Sequence, residues 1–135
     1  MLTYDEAFAV LTAAREAAND ESLNGAIVVV DAAGNDLAVA RSERASSFTA
    51  SVARAKARTA AMFGRPSADV ATMIERFPEV YAIATDGASF RPVTLDGGVP
   101  LRRDGILIGA IGFSGGMPDA DRRCADRGAA ALTAL

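Results

Sequence analysis

The 135-residue sequence predicts an α+β fold in which a five-stranded antiparallel sheet carries its helices mainly on one face. Three observations lead there. Apolar residues repeat at helical spacing near both ends and form strand-like runs between them, giving the element order α-β-β-α-α-β-β-β-α. Turn signals separate most neighbouring strands, so hairpins rather than βαβ crossovers join them. Hydrophobic residues make up 50% of the chain and charged residues 23%, enough to bury one core in a single domain spanning residues 1–135.

Each element has its own local cause. Thr3 to Glu6 has the T-x-x-E form of a capping box, followed by Ala7, Val10, Leu11 and Ala14 at i, i+3, i+4 and i+7; this predicts an amphipathic helix over 3–19. "GAIVVVDAAGNDLAVARSE" holds two β-rich runs around Ala33 to Asp36, where glycine and asparagine tolerate a turn. "SSFTASVARAKARTAAMFGRP" is alanine-dense and predicts a helix ended by Gly64 and Pro66, with Ala53, Ala57 and Ala60 or Ala61 as a close-packing face. Ser67 begins a shorter helix carrying Val70, Met73, Ile74 and Phe77, which Pro78 stops. "VYAIAT" reads as a strand and "DGASFRP" as a loop. "VPLRR" and "GILIGAIGFS" flank Asp104-Gly105, a hairpin signal. Pro118, Asp119 and Asp121 open the last helix, whose inward stripe is Cys124, Gly128, Ala131, Leu132 and Leu135.

Composition narrows the chemistry. A formal net charge of −3 argues against a nucleic-acid partner. The chain has no histidine, which removes the usual neutral-pH base and the commonest metal and haem ligand; no metal site is expected. Its single cysteine, Cys124, excludes an internal disulfide and fits a reducing compartment. "MLTYDEAFAV" shows no secretory pattern, and no apolar run approaches the ~20 residues of a membrane span, so a cytoplasmic location is expected.

Several residues carry two readings. Gly97-Gly98 is either a tight lead-in to an edge strand or a loop whose N–H groups face an anionic ligand. Ser114-Gly115, ahead of the last helix, offers the same choice, because Asp119 and Asp121 can themselves occupy the positive helix end. Arg54 and Arg58 share one side of their helix and form either a solvated face or a carboxylate clamp, while Lys56 points elsewhere. Asp121 is a helix-start carboxylate or an acid catalyst, and Lys56 part of a solvated or subunit-contact face or, if buried, a Schiff-base or general-base lysine. Gly109 and Gly112 face opposite sides of their strand; one is expected to make room for the alanine-rich helix, the other for a ligand or a neighbouring subunit.

"VVVDAAGNDLAVAR", "ARAKARTAAMFGRPS" and "GGVPLRRDGILIGAIGFSGG", followed by Asp121 and Cys124-Ala125, together resemble the GlcG/HbpS family of haem-degrading domains, which is related to the C-terminal domain of PduO-type proteins. The resemblance covers nearly the whole chain. It implies a PAS-like or profilin-like domain, homo-oligomers and, in some members, haem or another tetrapyrrole as ligand. This chain has Asn35 in the hairpin turn where many relatives carry histidine, so haem would be held without a histidine ligand; Tyr4, Tyr81, Cys124 and the methionines remain as axial candidates. The expected function is a module binding a small molecule, haem or another planar anion, between the central helix and the glycine-rich hairpins, with Arg54, Arg58, Gly97, Gly98, Ser114 and Gly115 as ligand contacts. The alternative is a cofactor-independent isomerase, hydratase or cyclase acting on a small carbonyl or hydroxylated metabolite through Asp121, Lys56 or Tyr81. An oligomeric accessory protein without a ligand is the third class.

Overall fold

The computed structural model describes residues 1–133; Leu135, expected on the inward stripe of the last helix, lies outside the described residues. Helix α1 runs Tyr4–Asp20, strands β1 and β2 Ala26–Asp31 and Asp36–Arg41, and helix α2 Phe48–Phe63. A short 3₁₀ turn, Ser67–Asp69, leads into α3, Val70–Arg76, and α4, Pro78–Gly87. Strands β3, Gly98–Arg103, and β4, Ile106–Ser114, precede α5, Pro118–Thr133. The sheet has the order β2-β1-β4-β3 with every pair antiparallel.

Among the described residues the sheet therefore has four strands, not five. The apolar run around Val80 to Thr85, expected as a strand, is helix α4. Pro78 explains the difference: a proline that stops one helix is also suited to the first position of the next, and here it occupies that position with Glu79 in the first turn.

The helices also cover both faces of the sheet rather than mainly one. β1 is buried along its length, so alternation sends Ile27 and Val29 to one side and Ala26, Val28 and Val30 to the other. Helices α1 and α5 lie against each other over the first side, with Ile111 and Phe113 of β4. The capping box at Thr3 and Glu6 starts α1, and its stripe of Ala7, Val10, Leu11 and Ala14 is buried. Helix α2 covers the second side through Ala53, Ala57, Ala60 and Ala61. Its approach is close: a Cβ at Gly112 would lie 2.0 Å from the Ala53 carbonyl oxygen. Gly109 faces the other way, but the space is already taken, since a Cβ there would meet the Val30 carbonyl oxygen at 2.4 Å and the Leu2 side chain at 2.9 Å.

Helix α4 contrasts with the rest, having no buried residue and leaving Phe77, Val80 and Ile83 exposed beside it. Among the described residues no helix is long and apolar enough to cross a membrane.

Candidate functional site

Lys56 falls at i+3 from Ala53 and beside Ala57, so the buried stripe of α2 carries it inward, away from Arg54 and Arg58. Its ammonium is 3% exposed as a side chain and donates to the Phe113 carbonyl and to Asp121 Oδ2, both at 2.9 Å. Asp121 Oδ1 accepts the Gly116 N–H at 2.7 Å. One carboxylate thus holds α2, the end of β4 and the first turn of α5 together. Gly97 closes over this pair: at its φ of +116° a Cβ would stand 3.0 Å from Lys56 Nζ and 3.0 Å from Asp121 Cβ. Neither Lys56 nor Asp121 lines any of the four clefts described below.

The Gly97 and Gly98 amides are both taken by acceptors of the chain itself. Gly97 N–H donates to Asp96 Oδ1 at 2.8 Å and Gly98 N–H to the buried Ser67 Oγ at 2.9 Å, while Ser67 donates to the Leu95 carbonyl at 2.6 Å. A Cβ at Gly98 would collide with the Lys56 carbonyl oxygen at 2.2 Å. Here glycine serves the approach of α2 to the β3 edge. Tyr81 stands on α4, where its hydroxyl donates to the Pro92 carbonyl at 3.2 Å and bonds neither Lys56 nor Asp121.

Arg54 and Arg58 do share the outer side of α2. Arg54 Nε donates to both oxygens of Asp36, at 3.2 and 3.0 Å. Arg58 Nε donates to the Gly34 carbonyl at 3.2 Å, and its guanidinium lies 6.0 Å from the centre of the Phe90 ring. Each uses only Nε, leaving the two terminal nitrogens without a partner among the described residues. Two adjoining clefts meet at Arg58 and Phe90. One, of about 300 Å³, runs past Gly34, Asn35 and Met62; the other, of about 210 Å³, runs past Ser51 and Arg54. Asn35 therefore borders the same cleft as Arg58. Phe90 escaped the sequence reading, because nothing local marks which loop residue folds back onto α2; Met62 entered it only as one of the methionines offered as axial candidates.

Ser114 and Gly115 border a third cleft, about 310 Å³, together with Asn24, Arg44, Ser46, Phe48 and Thr49. The largest of these four clefts, about 370 Å³, lies between the end of α1 and β2 with Arg15, Asn19, Arg41 and Glu43 on its walls, and holds none of the expected site residues.

The axial candidates separate clearly. Cys124 is fully buried, and burial pushes its thiol up to about 11, away from thiolate character. Tyr4 is exposed and packs edge-on against Phe8, whereas Met62 borders the Arg58–Phe90 cleft.

A model of the family described as "Haem degrading protein HbpS-like" matches residues 2–130. Protein GlcG of Escherichia coli K12 is 32% identical over 114 residues, covering 84% of this chain and 81% of that protein. The corrinoid adenosyltransferase PduO of Salmonella typhimurium is 28% identical over 97% of this chain, which spans 39% of PduO's length. A solved haem complex of PduOC superposes with a TM-score of 0.83 at 29% identity, covering 96% of this chain and 94% of that one. A solved variant of Streptomyces reticuli HbpS gives 0.85 at 30% identity, covering 97% and 86%.

Proposed function

The chain belongs to the HbpS-like family, and from that premise we propose that it is a small-molecule-binding module whose ligand is haem or another planar anion. The observation that carries this reading is the pair Arg54 and Arg58 beside Phe90, with four terminal guanidinium nitrogens unpartnered along two adjoining clefts. Arginine matches carboxylates bidentately, and an aromatic ring offers a flat ligand a stacking face. A haem would be held by its propionates on Arg54 and Arg58, and the Met62 thioether on the same cleft would be the donor available to its iron; thioether ligation is established haem chemistry. The haem complex of PduOC supports the ligand class.

The module is further proposed to work as one PAS-like or profilin-like domain, in the cytoplasm and as a homo-oligomer. The apolar surface of Phe77, Val80 and Ile83 on and beside α4 supports the association. The acid–base alternative draws no support from the geometry. Lys56 and Asp121 are paired with each other beneath Gly97, and Tyr81 bonds neither.

Haemin titration followed by Soret absorption tests the reading. A saturable one-to-one shift is expected, weakened in the Arg54→Ala, Arg58→Ala double variant and altered in band position by Met62→Leu. A non-saturating response, or full binding by the double variant, would overturn it.

A further inference from the structure

We propose that the cleft at the start of α2 is a second binding site, built for the oxyanion of a small metabolite, a carboxylate or a phosphate group. It shares no residue with the Arg54–Arg58 clefts.

The first observation is the positive end of α2 itself. A helix begins with N–H groups lacking intrahelical partners and a partial positive charge. Helix α1 answers this with Thr3, Asp5 and Glu6, and α5 with Asp119 and Asp121. In α2 no side chain caps the N-terminus and no acidic residue lies in the first turn. The Thr49 N–H turns back to the Ser46 carbonyl at 3.1 Å.

The second observation is independent of the helix. Ser114 belongs to β4 and is only 7% exposed, yet its hydroxyl makes no hydrogen bond among the described residues. Strand alternation puts its side chain on the α2 side of the sheet with Ala110 and Gly112, and the residue borders this cleft. A hydroxyl on a nearly buried residue that opens onto a cleft without a protein partner is a group available to a ligand.

The walls complete the set of donors. Arg44 borders the cleft and forms no ion pair among the described residues, and Asn24 accepts from Ser42 through Oδ1 at 3.2 Å, leaving its amide nitrogen to donate. Among the described residues no carboxylate borders the cleft, in a chain that carries 17 Asp and Glu against 14 Lys and Arg. The floor is fixed from behind, because Asp121 holds the Gly116 N–H and is itself held by Lys56. The Ser114 hydroxyl and the first amides of α2 are preset on regular elements, and Arg44 reaches the oxyanion from the exposed turn before α2.

The test uses inorganic phosphate and acetate as probes at constant ionic strength, followed by amide shifts in ¹⁵N–¹H spectra. Saturable shifts are expected at Phe48, Thr49, Ala50 and Ser114 to Gly116. Tighter binding of phosphate would assign a phosphoryl group and tighter binding of acetate a carboxylate, and either supports the site. Arg44→Ala and Ser114→Ala should each raise the dissociation constant about tenfold, the worth of one hydrogen bond to a charged group. Haemin binding should be unchanged in Arg44→Ala, which separates this site from the proposed haem surface. Shifts that grow linearly without saturation, or that persist undiminished in both variants, would overturn the proposal.

Discussion

Replacing one member of the Lys56–Asp121 pair probes the joint on which three elements meet. Asp121→Asn leaves the Lys56 ammonium buried with the Phe113 carbonyl as its remaining charge-stabilising partner, while the amide oxygen can still receive the Gly116 N–H. Lys56→Met leaves the carboxylate with one backbone donor. Breaking a buried pair from one side costs about 3–5 kcal/mol, since the surviving charge has lost water without gaining a partner. For a domain of this size that corresponds to a fall in Tm of about 10–20 °C. The double variant removes both charges and keeps the Gly116 hydrogen bond, so it should be more stable than at least one single variant. Urea unfolding of the four proteins followed by circular dichroism gives the cycle directly, and a coupling of about 2 kcal/mol or more is expected. Two single losses under about 1 kcal/mol that simply add would mean that water reaches the pair, and the sealed joint would be refuted.

Three further outcomes follow from other parts of the molecule. Gly112→Ala sets a methyl carbon 2.0 Å from the Ala53 carbonyl oxygen and should cost about 1–3 kcal/mol or more, whereas Gly105→Ala, with φ +78° and open space around it, should cost about 1 kcal/mol; paired urea unfolding curves decide. Cys124 has its thiol raised from 9.0 to about 11, so its contribution to stability is complete below pH 9 and disappears as pH rises through 11; the urea midpoint should fall across that window in the native protein more than in Cys124→Ala. Thr3→Ala removes the acceptor for the Glu6 N–H and should cost about 1 kcal/mol, read as loss of helical ellipticity on mild heating.

Local pattern carried α1 and α2 from sequence to structure, because their stripes and stops lie within a few residues of one another. The shared side of Arg54 and Arg58 follows from the same i, i+4 arithmetic. Lys56 was misjudged in environment rather than position: its i+3 spacing from Ala53 already puts it on the buried stripe, but its partner is 65 residues away and no local signal names it. Helix α4 defeated the strand reading because β-branched and aromatic residues suit either element, and its missing partner strand is a tertiary fact. The empty hydroxyl of Ser114 and the return of Phe90 to Arg58 depend on register and loop path, which spacing does not encode.

The two faces of the sheet will drift differently under mutation. Beneath α1 and α5 the core mixes alanines with Ile, Val, Leu and Phe, so substitutions of its large residues remove volume and leave holes that neighbours can partly close. Beneath α2 the helix sets Ala53, Ala57, Ala60 and Ala61 against Val28, Val30, Ala110 and Gly112, and a substitution of those alanines or of Gly112 by a larger residue adds atoms that lift the helix. Random variation should therefore leave a lopsided record. The α2 layer would stay nearly fixed although it holds the smallest side chains in the molecule, while the bulkier layer would trade residues of similar volume.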